Sequence, residues 1–180
     1  ISFFLSGFGV LLCVAVGGQL LFRKEGIRQT YLLLGSLLIL YALTLTNGLL
    51  AMGGIYSQYQ YLYFIPIIFS LWIGPLFYFF VKSRISPTFK LRRKDLIHFI
   101  LPTFLFAFYC FIGFRSADYK SLIWREVSAP YGQFIEEGLL ILISLGYMGA
   151  AWHLLHQSLP EELWKQPVIR WLKRFALSLL

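Results

Sequence analysis

Few residues in this chain could do chemistry. Glu136 and Glu137 form one adjacent pair of carboxylates, at the start of an apolar run that continues to Gln157. Neighbouring positions on a helix point about 100° apart, so the two cannot line one pocket equally. Two readings stand side by side. The pair can offset the positive end of a helix, or it can meet a ligand or cation at an outer membrane face, where an ionisable group is a functional candidate. His153 and His156 are three residues apart and share a helix face. Two histidines can begin a metal site, but no cysteine or carboxylate stands at a useful local spacing and HExxH is absent, so no metal is expected. His98 opens another apolar run. Asn47 and Gln19 are uncharged polar groups deep in apolar runs, where bonds to neighbouring helices contribute about 0.6 kcal/mol each. A phosphate-binding loop, a nucleophile elbow, paired buried carboxylates and a haem ligand pair are all missing. No catalytic residue, no cofactor and no enzymatic activity is expected.

The elements that must hold these groups follow from composition. The 180 residues are 58% hydrophobic and 13% charged, with mean hydropathy +0.70. A soluble domain carries roughly 25% charged residues. A water-soluble chain of this size buries only about 70% of its surface, too little to hide this much apolar surface. An all-α polytopic membrane bundle is therefore expected, and the absence of repeated two-residue alternation disfavours a barrel. Cys13 and Cys110 lie within apolar runs and read as packing residues.

A span needs about 20 mostly apolar residues. Residues 1–22 fit, and no basic leader or cleavage site marks them as a signal peptide. From Gln29 to Val81 no charge occurs over 53 residues. As one helix this run would reach about 80 Å, so it must fold back. Gly53-Gly54 and "YSQYQ" mark the break. Expected spans are 1–22, 30–52, 61–81, 96–114 and 134–157, with 168–180 as the start of a sixth, all in a single membrane domain, 1–180. Opening at Ile1 and ending at Leu180 inside an apolar run, the chain reads as a fragment. Gly7, Gly9, Gly17 and Gly18 leave room for close helix packing, self-association as a homodimer included.

Orientation comes from Lys and Arg in the loops. Loops 1, 3 and 5 carry three, six and four; loops 2 and 4 carry none and three. The odd loops are expected in the cytoplasm and the N-terminus outside. Loop 3 is the densest, with Lys82, Arg84, Lys90, Arg92, Arg93 and Lys94. The same charges attract anionic lipid, at about 1 kcal/mol each near the surface. A loop this short at a bilayer leaves little room to engage nucleic acid. Just before it, Gly74-Pro75 interrupts an apolar run. Pro75 cannot donate to the carbonyl of Leu71 and its ring crowds that turn, so a kink is expected, either structural or a signalling hinge.

The residues around loop 3 carry a resemblance. "LWIGPLFYFFVKS", a basic linker and "KDLIHFILP" resemble the N-terminal membrane domain of membrane-anchored AraC-type transcriptional regulators of Bacteroidota. The matching positions are Gly74, Pro75, Leu76, Tyr78, Val81 and Lys82, then Lys94, Asp95, His98, Phe99 and Pro102. Trp171 and Leu172 in "VIRWLKRF" resemble that family's entry to helix 6. The resemblance implies about seven spans, and an odd number with the N-terminus outside puts the C-terminus in the cytoplasm. It also implies a bacterial inner-membrane location and a cytoplasmic domain with two helix-turn-helix units. DNA would be met only through that domain, which this chain lacks; no DNA-binding residue lies in 1–180. The expected role is a sensory and anchoring module with an unidentified ligand. The alternatives are an input module for another output, such as a histidine kinase, and a small transporter or accessory subunit of a membrane complex.

Overall fold

The computed structural model describes residues 2–158, apart from Glu25, Ile68 and Pro87. The expected partial span at 168–180 lies outside the described residues. Those described are all-helical, with no strand among them. Four helical stretches are long and apolar enough to cross a bilayer: Ser2–Phe22, Arg28–Met52, Arg93–Gly113 and Ala117–Gln157.

Helices α1 (Ser2–Phe22) and α2 (Arg28–Met52) form a hairpin, close to the expected bounds. Their contact is set by two glycines. A Cβ on Gly17 would stand 3.2 Å from the carbonyl oxygen of Gly35, and one on Gly35 would stand 2.9 Å from Leu21 Cγ. Only bare backbone lets the two helices come this close, the usual means of packing where lipid is as apolar as any side chain. Gly53 ends α2, and the short α3 (Ile55–Gln58) follows Gly54, whose φ of 70° is the left-handed conformation glycine tolerates.

The third expected span, 61–81, is corrected. After a 3-10 turn at Gln60–Leu62, the described residues 63–67 and 69 are not helical, and α4 occupies Ser70–Ile85. Its 16 residues reach about 24 Å, short of the about 30 Å hydrocarbon core. Pro66 supplies the reason. Its ring disfavours helical backbone at Ile65, and its missing N–H breaks the ladder. Phe64 takes φ 58°, and the Ile67 N–H donates to the Ile65 carbonyl at 2.7 Å, a three-residue turn. Non-helical backbone at membrane depth needs cover from protein. Phe64 is 6% exposed and clusters with Tyr109 and Ile112, with Trp124 packed against them.

Although short, α4 is the centre of the bundle. Leu76, Phe77, Phe79, Phe80 and Val81 pack with Leu33 and Leu37 of α2, and with Met148, Ala151 and Leu155 of the last helix. A helix apolar on every side belongs inside other helices. The helix continues through Pro75, which is fully buried.

A 3-10 segment, Arg93–Phe99, leads directly into α5 (Ile100–Gly113). Asp95 starts it, accepting from the Arg92 backbone N–H at 2.8 Å. Of residues 115–133, expected as a loop, 117–133 are helical. Helix α6 (Ala117–Ile123) passes through a π-helical stretch, Trp124–Gly132, into α7 (Gln133–Ser158). Ser116 begins it by accepting from the Tyr119 N–H. Pro130 lies in the π stretch, where the ordinary ladder is already broken and a missing N–H costs less.

Candidate functional site

Tyrosine and glutamate line a polar cavity. It holds about 570 Å³ and lies where the non-helical link meets α2, α5 and α7. Asn47 comes from α2, Tyr56 from α3, Tyr63 and Phe64 from the link, Tyr109 from α5, Trp124 from the π stretch, and Glu136 and Glu137 from α7. The break that spoils the third span therefore builds this wall. Tyr63 and Trp124 rings stand 5.2 Å apart, and Phe64 lies 5.6 Å from Tyr109 and 6.2 Å from Trp124.

Two hydrogen bonds fix the polar groups. Tyr109 Oη donates to Glu136 Oε1 at 2.5 Å. Tyr56 Oη donates to Asn47 Oδ1. Burial raises the Tyr56 phenol above its ordinary value, so it stays a donor at neutral pH. On α6, Lys120 is buried, with Nζ donating to the Tyr61 carbonyl at 2.7 Å. Glu136 is half-buried and Glu137 exposed, as their angular separation on α7 requires. The structure brings Glu136, Glu137 and Asn47 together; Gln19 sits apart and exposed on α1.

A second group of residues gathers around α4. A Cβ on Gly74 would stand 3.1 Å from Tyr147 Cδ2 and 3.5 Å from Ile143 Cγ2, so the bare glycine lets α7 rest on α4. Tyr147 Oη and His98 Nδ1 are 2.8 Å apart. The His98 ring lies edge-on to Phe79 at 5.4 Å and 6.4 Å from Tyr78. Lys82 turns inward, with Nζ 4.9 Å above Phe89 and 5.7 Å above Tyr78. Phe89 in turn stacks on Phe79 at 6.0 Å. Gln29, with its amide oriented to satisfy both groups, donates to the Phe89 carbonyl and accepts from the Leu91 N–H, each at 2.8 Å. The basic loop is thus pinned to α2 and α4. Arg84, Lys90, Arg92, Arg93 and Lys94 are exposed.

A more apolar cleft of about 780 Å³ lies between α2, α4 and α5, with Trp72, Leu76 and Phe99 among its walls. The His156 and Trp152 rings lie 4.8 Å apart, tilted to each other. Among the described residues no three His, Cys, Asp or Glu side chains gather as a metal site.

Sequence reasoning missed Tyr109 and Tyr147. Each is the hydroxyl-bearing ring inside an otherwise apolar run, "FLFAFYCFIG" and "ILISLGYMGA". A buried Tyr hydroxyl usually needs a partner, which was the available signal.

No family model, curated protein or solved structure matches the chain.

Proposed function

We propose that the chain is a membrane-embedded sensory and anchoring module of a transcriptional regulator, transmitting a signal to a cytoplasmic helix-turn-helix domain outside this chain. The orientation is that of the loop charges, with the cavity outside and loops 1, 3 and 5 inside a bacterial inner membrane. The observation that carries the reading is α7. This single helix of 26 residues, about 39 Å long, has Glu136 in the cavity at its first turn. Three turns on, the same helix sets Tyr147 against Gly74 and His98. Gly74 and His98, two of the residues that carry the family resemblance, thus meet the same helix whose other end walls the cavity. A ligand that favours one position of α7 over another shifts the population of both ends together. Helix shifts of about 1–2 Å are an established form of such transmission.

Reading the gene beyond the codon for Leu180 tests this. The expected result is two helix-turn-helix units in the same frame. An ATP-binding kinase domain would instead make the chain the input module of another signalling protein. Solute flux from proteoliposomes holding this chain alone would make it a transporter.

A further inference from the structure

We propose that the outer cavity binds an organic cation, an ammonium group carried on a small apolar body. The inference names the ligand class of the sensory reading and rests on it for its consequence, though not for binding itself. Three features point to this class. The lining residues include two carboxylates, Glu136 and Glu137, and no Lys, Arg or His. Lys120 is not among the lining residues, and its Nζ donates to the Tyr61 carbonyl. An anion would therefore meet like charge, with no cationic side chain in the lining to offset it.

Aromatic faces are the second feature. Tyr56, Tyr63, Tyr109 and Trp124 surround the same space. Ring faces attract cations, and an aromatic enclosure is a recurring solution for alkylammonium groups. A small hard metal ion would want six or more oxygens in a tight shell. Here Tyr109 already occupies one Glu136 oxygen, and most of the wall is hydrocarbon. The third feature is size. About 570 Å³ falls in the range of small-molecule sites, roughly 300–1,000 Å³. The Asn47 Nδ2 donor, the lone pairs of Ser57 Oγ and the Gln133 amide are neutral groups that can orient the body of the ligand.

The probe is benzyltrimethylammonium, titrated by equilibrium dialysis against the chain in nanodiscs of zwitterionic lipid. Saturable binding is expected. The double variant Glu136→Gln, Glu137→Gln should weaken it about tenfold or more, as loss of a charged partner does. Trp124→Ala should weaken it about threefold or more, in line with one lost cation–π face. The glutamines keep an acceptor for Tyr109, and circular dichroism verifies that each variant is folded. Absence of saturable binding, or binding indifferent to all three substitutions, overturns the proposal. So does binding of phenylacetate in place of the cation, or displacement of the cation by millimolar calcium. Any of these leaves the downstream coding sequence free to support the sensory reading, so the two failures are distinguishable.

Discussion

Replacing Phe79 by Ala should lower the unfolding free energy of the chain by about 2–3 kcal/mol in lipid or mild detergent. Phe79 is 0% exposed and sits at the crossing of α2, α4 and α7. In water, such a truncation loses both transfer energy and packing. In a bilayer the transfer share largely vanishes, because the unfolded helices still lie in hydrocarbon. What remains is the cavity, at about 24 cal/mol per Å³ of unfilled volume, and a phenyl ring leaves on the order of 100 Å³. Two further contacts fail with the ring. Phe79 stacks on Phe89 at 6.0 Å and Phe99 at 5.9 Å. Phe89 anchors the basic loop, so that loop should loosen. Protease cleavage within residues 88–94 should speed up together with the drop in stability. A variant as stable as the parent would show that α4 is not the centre of packing.

Gly74→Leu should be comparably damaging, by about 3 kcal/mol, at the upper end of what overfilling a packed contact costs. Even the first added carbon falls 3.1 Å from Tyr147 Cδ2 and 3.4 Å from Tyr147 Cβ. The ring tip can rotate away, but Cβ moves only with the α7 backbone. Leucine therefore forces α7 off α4 and carries Tyr147 away from His98, now 2.8 Å from its hydroxyl. Leucine's higher helix propensity offsets only about 1 kcal/mol of this. Thermal unfolding and the His98 ring resonances in NMR both report it. An unchanged His98 environment in a folded Gly74→Leu protein would contradict the close approach. Pro75, next in the chain, lies within a continuous helix, with its ring buried in the bundle.

The α1–α2 hairpin was legible because hydropathy, length and the Gly53-Gly54 break all point the same way. The third span was not. Hydropathy measures the wish to leave water, and it does not distinguish a helix facing lipid from one enclosed by other helices. Pro66 was the available correction, since it bars helix at Ile65. The stretch from Ser116 to Gly132 misled in the opposite direction. Its Asp118, Lys120, Arg125 and Glu126 together with Pro130 and Gly132 look like a loop, yet the Ser116 cap and a π turn keep it helical. Of the site, the carboxylates and Asn47 were visible as polar exceptions in apolar runs. Their partners were not. Tyr109 meets Glu136 across 27 residues and His98 meets Tyr147 across 49, pairings that only the packing of α5 and α7 decides.

The orientation read from charge has one tension. Loop 4 carries Arg115, Lys120 and Arg125 on the side assigned to the outside. Lys120 is held on the Tyr61 carbonyl and Arg115 lies 4.5 Å over the Phe111 ring. These two cations have structural partners, so they weigh less in the balance that sets topology than the exposed ones of loop 3.

Recovery of DNA with the tagged full-length gene product is the most direct measurement. Cells are cross-linked, membranes are isolated, and the DNA held by the protein is sequenced. Discrete promoter segments should be enriched in the membrane fraction. Tyr147→Phe, which removes the hydroxyl bound to His98, should change their occupancy by about fivefold, the equivalent of one hydrogen bond of about 1 kcal/mol. DNA at background, or occupancy indifferent to Tyr147→Phe, would contradict a membrane helix that governs a DNA-binding output.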